Sequence, residues 1–231
     1  MTRSEHDSDV GEKYEPVFFD IETTGLNPMA QEWWDNETHG ARVTAIGIGT
    51  VDGWRHTTDP EDCDIDVKVL TDESEYRLLN VARERLKEVE AEIFDNGGEA
   101  FLVGHNSRQF DHPYLGARYA RLRLDGRAWN DILKRLDTMR ALGKNWNEVG
   151  RFPKEDDVLE VLGIESDDPY TGADMPDAYA ERDWDAIKTH VRHDVNDMAK
   201  LFVVLSEPCM EEFYNHYEID KDASFTEEVD Y

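Results

Sequence analysis

Hydrophobic residues recur every three or four positions in two long stretches of the chain, a spacing typical of amphipathic helices. This spacing predicts one helix over residues 72–95, ended by the pair Gly97-Gly98, and another over residues 184–205. The apolar positions are Leu78, Leu79, Ala82, Leu86, Val89 and Ile93 in the first helix, and Trp184, Ile187, Val191, Val195, Met198, Leu201, Phe202 and Leu205 in the second. Each helix therefore has one face to bury in the core of a folded domain.

Shorter runs of β-branched and aromatic residues predict strands. Strands are predicted over residues 17–22, 42–50 and 100–103, with a short one inside residues 131–139. Asp52-Gly53 is a two-residue hairpin signal, so residues 54–58 are expected to return as an antiparallel strand. Residues 59–71 are then predicted to be an acidic connector. Strands that alternate with helices predict an α/β domain.

Two shorter helices are predicted over residues 114–124 and 157–162, the second of them ended by Gly163. The first carries the densest basic cluster of the chain, which consists of Arg118, Arg121, Arg123 and, soon after, Arg127. Such a cluster is either a solvated helix face that forms local ion pairs or a patch that contacts phosphates. The sequence leaves both interpretations open.

Composition indicates a folded domain with a very acidic surface. The 231 residues have a formal net charge of −28 and are 34% charged and 39% hydrophobic, yet six Trp, nine Tyr and nine Phe are spread along them. We predict one domain over residues 16–216, with acidic tails at residues 1–15 and 217–231. A surface of this kind suits a cytoplasm at molar salt, so we expect the source to be a haloarchaeon or a halophilic virus.

The same features bound the compartment and the partners. Cys63 and Cys209 are far apart in sequence and form no metal-ligand pair, so both are expected to be reduced. No stretch is apolar and long enough to span a membrane, so a cytoplasmic protein without a membrane partner is predicted. A chain of this charge repels nucleic acid at low salt. Any nucleic-acid site must therefore rely on metal ions, base stacking and a local basic patch.

The candidate chemistry lies at the end of the first predicted strand. Side chains alternate along a strand, so Asp20 and Glu22 share one face with Phe18. Two adjacent carboxylates at the end of an apolar strand repel each other unless a cation lies between them. Mg²⁺ and Mn²⁺ prefer carboxylate oxygens, so a divalent metal site is one interpretation. A solvated acidic edge strand is the other.

Three segments resemble the motifs of one enzyme family. The string Phe19-Asp20-Ile21-Glu22-Thr23-Thr24-Gly25-Leu26 is similar to the first motif of the DEDD (DnaQ-like) 3′–5′ exonucleases. Asn106, followed by Phe110-Asp111, resembles the second motif, and the pair His190 and Asp194 resembles the third. One branch of the family has Tyr four residues before the last Asp and another has His five residues before it. This chain combines the histidine with the four-residue spacing.

The resemblance implies an RNase H-like α/β fold, a mixed five-stranded sheet with flanking helices. It implies that two Mg²⁺ or Mn²⁺ ions are held by four carboxylates, those of Asp20, Glu22, Asp111 and Asp194. His190, with an ordinary pKa near 6.5, is then the candidate general base. The implied activity releases nucleoside 5′-monophosphates from the 3′ end of DNA or RNA. The weaker candidates for substrate contacts are Thr23, Gly25, Leu26, His105, Asn106 and Phe110.

Several alternatives remain open at this point. Asp111, two residues before a proline, also resembles an ordinary helix N-cap. Asp197 lies one turn after Asp194 and is the rival for the fourth ligand, and His193 is the rival for the base. An RNase H-type endonuclease and an inactive nucleic-acid-binding subunit of a replication complex are the competing functions. The implied substrate is a single-stranded 3′ end, with a DNA polymerase or another replication protein as a candidate partner.

Overall fold

The chain folds around one mixed sheet of five strands with helices on both faces. The computed structural model describes residues 14–26, 41–56, 59–62, 64–125, 134–143 and 153–219. The strands are β1 (Tyr14–Thr23), β2 (Val43–Asp52), β3 (Asp64–Thr71), β4 (Glu99–Gly104) and β5 (Lys134–Asp137), arranged in the order β3-β2-β1-β4-β5. The first three strands pair antiparallel, whereas β4 pairs parallel with β1 and β5 pairs parallel with β4. The predicted α/β architecture is confirmed.

Seven helices belong to the described part of the chain. They are α1 (Glu75–Asp95), α2 (Asp111–Arg121), α3 (Thr138–Gly143), α4 (Glu155–Leu162), α5 (Met175–Glu181), α6 (Trp184–Val204) and α7 (Ser206–Tyr217). The two long helices predicted from the apolar spacing are α1 and α6. The predicted short helix that Gly163 ends is α4, and Gly163 takes the left-handed conformation expected of a glycine C-cap.

The third strand lies elsewhere than the hairpin signal suggests. Gly53 turns with a φ of 82°, but the chain then forms a turn through His56, and the strand that pairs with β2 begins only at Asp64. The prediction of a strand over residues 54–58 and a connector over 59–71 is therefore wrong. The missed signal is the alternation in β3 of half-buried Ile65, Val67 and Val69 with exposed charged residues, which is typical of an edge strand.

The structured region is longer at both ends than the sequence predicts. Tyr14 and Glu15 are the first residues of β1, and the ring of Tyr14 lies 5.3 Å from that of Phe213 in an edge-to-face arrangement. At the other end, α7 runs to Tyr217, whose hydroxyl accepts a 2.6 Å hydrogen bond from the backbone N–H of Arg135. The aromatic contacts at both ends explain why the structured region is longer. The rest of the predicted tails, residues 1–13 and 220–231, lies outside the described residues.

The alternation predicted for β1 divides its side chains between two hydrophobic layers. Val17, Phe19 and Ile21 pack with buried residues of α1 and α2 on one face of the sheet. Phe18 packs on the other face, where its ring meets that of Phe202 of α6 at 5.6 Å. Asp20 follows on the same side as Phe18, so its carboxylate points towards the layer that contains α6.

Two glycines of β2 allow α6 to lie very close to the sheet. A Cβ atom on Gly47 would stand 2.5 Å from a methyl group of Val195 and 2.7 Å from one of Val191. A Cβ atom on Gly49 would meet Val195 at 2.6 Å. Gly47 pairs with Asp20 across the ladder. The close approach therefore fixes the distance between α6 and the strand that carries the candidate site.

The substitution Gly47→Ala is expected to destabilise the protein by about 1–3 kcal/mol, because the new methyl group displaces α6 from a filled layer. Urea denaturation checks this value. Gly116→Ala is the matched control, since Gly116 is exposed on α2 and a Cβ there meets no atom within 4 Å. That control is expected to keep or raise stability, because alanine is the better helix former. Equal stability of the two variants would contradict the account of the α6 contact.

A candidate metal centre

The four carboxylates singled out by the motifs come together although three different elements carry them. Asp20 and Glu22 end β1, Asp111 is the first residue of α2, and Asp194 lies in the middle of α6. The parallel pairing of β4 with β1 delivers the chain to the start of α2, and the glycines of β2 bring in α6. Glu22 and Asp111 are buried, with exposed fractions of 7% and 3%.

Burial and mutual repulsion both oppose the charged form of these acids. Burial raises the pKa of Asp20 well above its usual range, and the charges of Asp111, Asp194 and Glu22 raise it further. Burial likewise raises the pKa of Asp111 and Glu22, and it raises that of Asp194 to about 7. One oxygen of Asp20, Oδ2, is buried without a hydrogen-bond partner among the described residues. The positive charge near these acids is thus too small to offset their burial and mutual repulsion.

A divalent cation fits this arrangement. Glu22, His190 and Asp194 each offer one ligand atom, and these atoms lie within 4.8 Å of one another. Asp20 and Asp111 adjoin this group, because their charges act on those of Glu22 and Asp194. Carboxylate oxygens around a buried, unpaired oxygen form the donor set that Mg²⁺ and Mn²⁺ prefer.

His190 lies between three carboxylates. Its Nε2 atom is 3.3 Å from Oε1 of Glu22 and 3.4 Å from Oδ2 of Asp194, and its Nδ1 atom is 2.5 Å from Oδ2 of Asp168. Burial opposes the charged imidazolium, but the hydrogen bond to Glu22 and the charges of Asp194 and Glu22, with the bond to Asp168, raise the pKa of His190 to about 10. Without a metal ion, His190 is the cation that partly balances the cluster.

Two further acids of the site have no place in the sequence motifs. Asp168 lies in the segment between α4 and α5 and holds His190. Glu155 is the first residue of α4. Burial raises its pKa well above the usual range, and the charges of Asp194 and Asp197 raise it further. Its Oε1 atom is buried without a hydrogen-bond partner among the described residues. In the sequence, both resemble ordinary surface acids of an acidic chain. Only the return of this segment over the sheet reveals them.

These residues border an open cavity of about 670 Å³. Glu22, His190 and Asp194 border it, together with Glu155, Asp168 and Tyr170. Residues of α4 and of the segment before α5 therefore border the same cavity as the carboxylate cluster. A ligand in this cavity would touch the predicted metal centre.

The second-motif residues form the loop that leads into α2. The backbone N–H groups of Asn106 and Arg108 donate to the two carboxylate oxygens of Asp137, each at 3.0 Å. Asn106 has a φ of 59°, so this loop is held in a left-handed turn. Asp111 follows as the first helical residue, while Phe110 occupies the N-cap position with no side-chain capping bond. Asp111 is therefore the first residue of the helix and not its N-cap.

The remaining candidates for substrate contacts differ in exposure. Thr23 is buried and its hydroxyl donates to the carbonyl of Gly25 at 3.2 Å. Leu26 is 84% exposed, directly after the strand that carries Asp20. His105 connects the end of β4 to Thr138 at 2.9 Å and to the carbonyl of Pro153 at 3.2 Å, and burial lowers its pKa. These bonds give His105 a structural role, whereas Leu26 is free to touch a ligand.

Both rivals within α6 have other partners. Asp197 is buried, accepts a 2.5 Å hydrogen bond from the hydroxyl of Ser166 and lies 3.9 Å from Nζ of Lys200. His193 lies 3.4 Å from the exposed carboxylate of Asp167. The group that can hold a metal ion contains Asp194 and His190. The geometry thus favours the pair chosen from the four-residue spacing.

The basic cluster predicted on α2 does not form a common surface. Arg118 is buried, and its guanidinium donates to both carboxylate oxygens of Glu75, at 2.7 and 2.5 Å. Glu75 also accepts a 2.8 Å bond from the backbone N–H of Val43. Arg118 thus joins α2 to α1 and β2, and the phosphate-contacting interpretation is wrong for this residue. Arg121 and Arg123 are exposed, and Arg127 lies outside the described residues.

The fold is shared with a polymerase of known structure. The family B DNA polymerase from the hyperthermophilic archaeon Pyrobaculum calidifontis matches 84% of this chain with a TM-score of 0.56 and 19% identity. The metal-free complex of E. coli ExoI with single-stranded DNA matches 89% of the chain, with a TM-score of 0.49 and 13% identity. The chain spans 24% of the polymerase and 42% of ExoI. The polymerase likeness agrees with the RNase H-like fold.

One protein is similar to this chain in sequence over most of its length. An uncharacterized protein of Methanocaldococcus jannaschii is 27% identical over 202 residues, which cover 82% of this chain and 94% of the relative. No protein-family model matches the chain. Neither likeness bears on the halophilic origin predicted from composition, which stays a prediction. Among the described residues, no helix is both long and apolar enough to cross a membrane.

Proposed function

We propose that this protein is a metal-dependent 3′–5′ exonuclease that releases nucleoside 5′-monophosphates from the 3′ end of DNA or RNA. The observation that carries the proposal is the meeting of Asp20, Glu22, Asp111 and Asp194 around a buried oxygen that lacks a partner. A structural role does not account for carboxylates that oppose one another's charge in this way. The order of the three motifs and the likeness in fold support the same class of enzyme.

Within this proposal, the four carboxylates hold two Mg²⁺ or Mn²⁺ ions. Such ions lower the pKa of an attacking water and stabilise the leaving 3′ oxygen when they are bound. Glu22 and Asp194 have ligand atoms in one compact group, and Asp20 and Asp111 complete the set from the end of β1 and the start of α2. Glu155 borders the same cavity and is a further candidate ligand.

His190 is the proposed general base, and its protonation depends on the charge around it. Its pKa of about 10 arises from uncompensated Glu22 and Asp194. Cations on those carboxylates remove this effect, while burial continues to favour the neutral ring. The pKa of His190 then falls from about 10, which favours a neutral ring whose Nε2 atom can accept a proton. Asp168 accepts from Nδ1 and so keeps Nε2 directed at the cluster.

The substitution Asp168→Asn is expected to lower the turnover number about 10- to 100-fold with little change in KM, because His190 loses the partner that fixes its orientation. Steady-state rates on an oligonucleotide measure this effect. Asp167→Asn is the matched control, since Asp167 is 97% exposed and lies next to Asp168 with an ion pair to His193 instead of His190. A pH profile should shift in the Asp168 variant and stay unchanged in the control. Equal rates and profiles for the two variants would remove Asp168 from the mechanism.

The proposed substrate is a single-stranded 3′ end. Leu26 is the candidate for an apolar contact with a base, with Thr23, Gly25, Asn106 and Phe110 as the weaker candidates nearby in the motifs. The match to a family B DNA polymerase makes a replication polymerase a candidate partner. An internal cut of the strand and an inactive binding subunit are the rival functions.

A time course on a 5′-labelled single strand tests the proposal, with DNA and RNA in parallel, in molar KCl with Mn²⁺. We expect a ladder that shortens from the 3′ end and disappears with Asp20→Asn, the control for contaminating nuclease. Internal cuts that disappear with the variant would replace the proposal by an endonuclease. No cleavage of either strand by the wild type would favour the binding subunit.

A further inference from the structure

A second cavity, of about 510 Å³, lies where the start of α2 meets β5 and the end of α7. We call it the basic groove. It is bordered by Arg108, His112, Gly116, Arg135, His216 and Tyr217, together with Pro113. Arg108 and His112 flank Asp111 in the sequence, so the groove begins beside the residue that joins α2 to the proposed metal centre.

The charge of the groove is opposite to that of the protein. None of its seven bordering residues is acidic, whereas the whole chain has a net charge of −28. Besides Asp111, which adjoins His112 in the sequence, two acids lie near it. Asp137 is occupied by backbone N–H groups, including that of Arg108 at 3.0 Å, and Glu212 acts on His216 together with the opposing charge of Arg140. Arg108 and Arg135 are therefore the residues that give the border of the groove its positive charge.

The charge of Arg108 acts on two other residues of the groove. Burial lowers the pKa of His216, and Arg108 adds to that shift. Burial also lowers the pKa of Arg135, and Arg108 opposes its charge. The cations repel one another, and an anion between them would relieve the repulsion.

The groove is held in shape before any ligand arrives. Nη2 of Arg108 donates to the backbone carbonyl of Arg135 at 2.6 Å, and its Nη1 lies 3.4 Å from Nδ1 of His216. The hydroxyl of Tyr217 accepts from the backbone N–H of Arg135 at 2.6 Å. His112 lies against Phe19 with the two rings 6.2 Å apart and nearly parallel, at 7°. A fixed guanidinium loses little freedom when it binds a phosphate.

We propose that the basic groove binds a backbone phosphate of the nucleic-acid strand, at a position away from the bond that is cut. This inference rests on the proposed function, since it takes the same strand as its ligand. A chain of this acidity repels a polyanion, so a local cationic site is needed to hold the strand near the metal centre. The groove meets this need better than α2, where Arg118 is buried in an ion pair.

Gly116 allows a test that removes no existing contact. It is exposed in α2, and a side chain added there meets no atom within 4 Å at its Cβ. Gly116→Glu adds a negative charge beside the groove, and Gly116→Gln adds the same bulk without charge. Both changes favour the helix, so folding is expected to be kept. Equal melting temperatures in thermal unfolding would show that the two variants are equally stable.

The first readout is the affinity for an oligonucleotide of about 16 nucleotides, measured by fluorescence anisotropy without divalent metal over a series of KCl concentrations. The second readout is the KM for hydrolysis of the same oligonucleotide. We expect Gly116→Glu to bind about five- to tenfold more weakly than Gly116→Gln, with a salt slope smaller by about one. Hydrolysis of a thymidine 5′-nitrophenyl phosphate, which has no second phosphate to place in the groove, should be equal for the two variants.

The possible outcomes distinguish failure of the groove proposal from failure of the proposed nuclease function. Equal oligonucleotide affinity and KM for the two variants would overturn the proposal while leaving the nuclease intact. Inorganic phosphate that competes with the strand at equal concentration would overturn it too, because the groove would then be a site for small anions. A charge-dependent loss of affinity in a protein that hydrolyses nothing would support the groove and reject the proposed function.

Discussion

Asp20→Asn is expected to abolish metal-dependent hydrolysis and, in the absence of metal, to make the folded protein more stable. Asp20 is a proposed ligand, and loss of a ligand should exceed the 10- to 100-fold effect of losing a supporting partner, reaching on the order of 1,000-fold. The gain in stability has a separate cause. Burial and the charges of Asp111, Asp194 and Glu22 all destabilise the ionised form of Asp20. Asparagine has nearly the same volume but no charge, so this destabilisation is removed.

The pH dependence of stability gives the sign of this effect. A carboxyl whose pKa is raised in the folded state contributes stability that is fully present below its unfolded pKa and is lost as the pH rises. For Asp194, the contribution is therefore lost between about pH 4 and pH 7. The metal-free wild type should lose stability across this range, and Asp20→Asn should lose less because one repelling neighbour is gone.

Thermal unfolding with EDTA and with Mn²⁺, at several pH values, measures both parts. We expect Mn²⁺ to raise the melting temperature of the wild type more than that of Asp20→Asn. Glu88→Gln is the control, since Glu88 is an exposed acid of α1 paired with Arg85 at 3.3 Å. A metal-free Asp20→Asn variant that is less stable than the wild type at pH 7 would contradict the repulsion described here.

Arg118→Met is expected to destabilise the protein by about 3–5 kcal/mol, because it leaves the buried carboxylate of Glu75 without its cation. The side chains of both partners are almost fully buried, at 7% and 6% exposure. The double variant with Glu75→Gln should recover much of the loss, since glutamine can still accept from the backbone N–H of Val43. Urea denaturation gives the free energies of unfolding.

Arg121→Met is the matched control for this pair, because Arg121 lies on the same helix and is exposed. We expect it to change stability by less than about 0.5 kcal/mol. An effect of Arg118→Met as small as that of Arg121→Met would show that the ion pair does not join α2 to α1. Loss of DNA binding without loss of stability would instead restore the phosphate-contacting interpretation of Arg118.

Elements with a strong local pattern were predictable from the sequence. The apolar spacing of α1 and α6 and the apolar run of β1 predict elements that the structure contains, because burial of one face dictates such patterns. The motifs also indicate which acids meet, since Asp20 and Glu22 are neighbours in one strand. The position of β3 was missed, because an edge strand buries little and the Asp52-Gly53 turn outweighed its weak alternation.

Contacts made by non-local folding were not predictable in this way. Asp168 and Glu155 reach the site because the segment after β5 returns over the sheet, and no local spacing distinguishes them among 53 acidic residues. The partner of Arg118 lies 43 positions away in sequence, so its burial could not be read from α2 alone. The basic groove likewise assembles from α2, β5 and α7.

Binding of Mn²⁺, followed by electron paramagnetic resonance in molar KCl, tests the central claim most directly, because the salt screens the acidic surface. We expect two tightly held ions in the wild type and in Glu88→Gln, and the loss of at least one in Asp20→Asn. Wild-type protein that holds no more Mn²⁺ than Asp20→Asn would contradict the central claim, since the clustered carboxylates would then not form a metal centre.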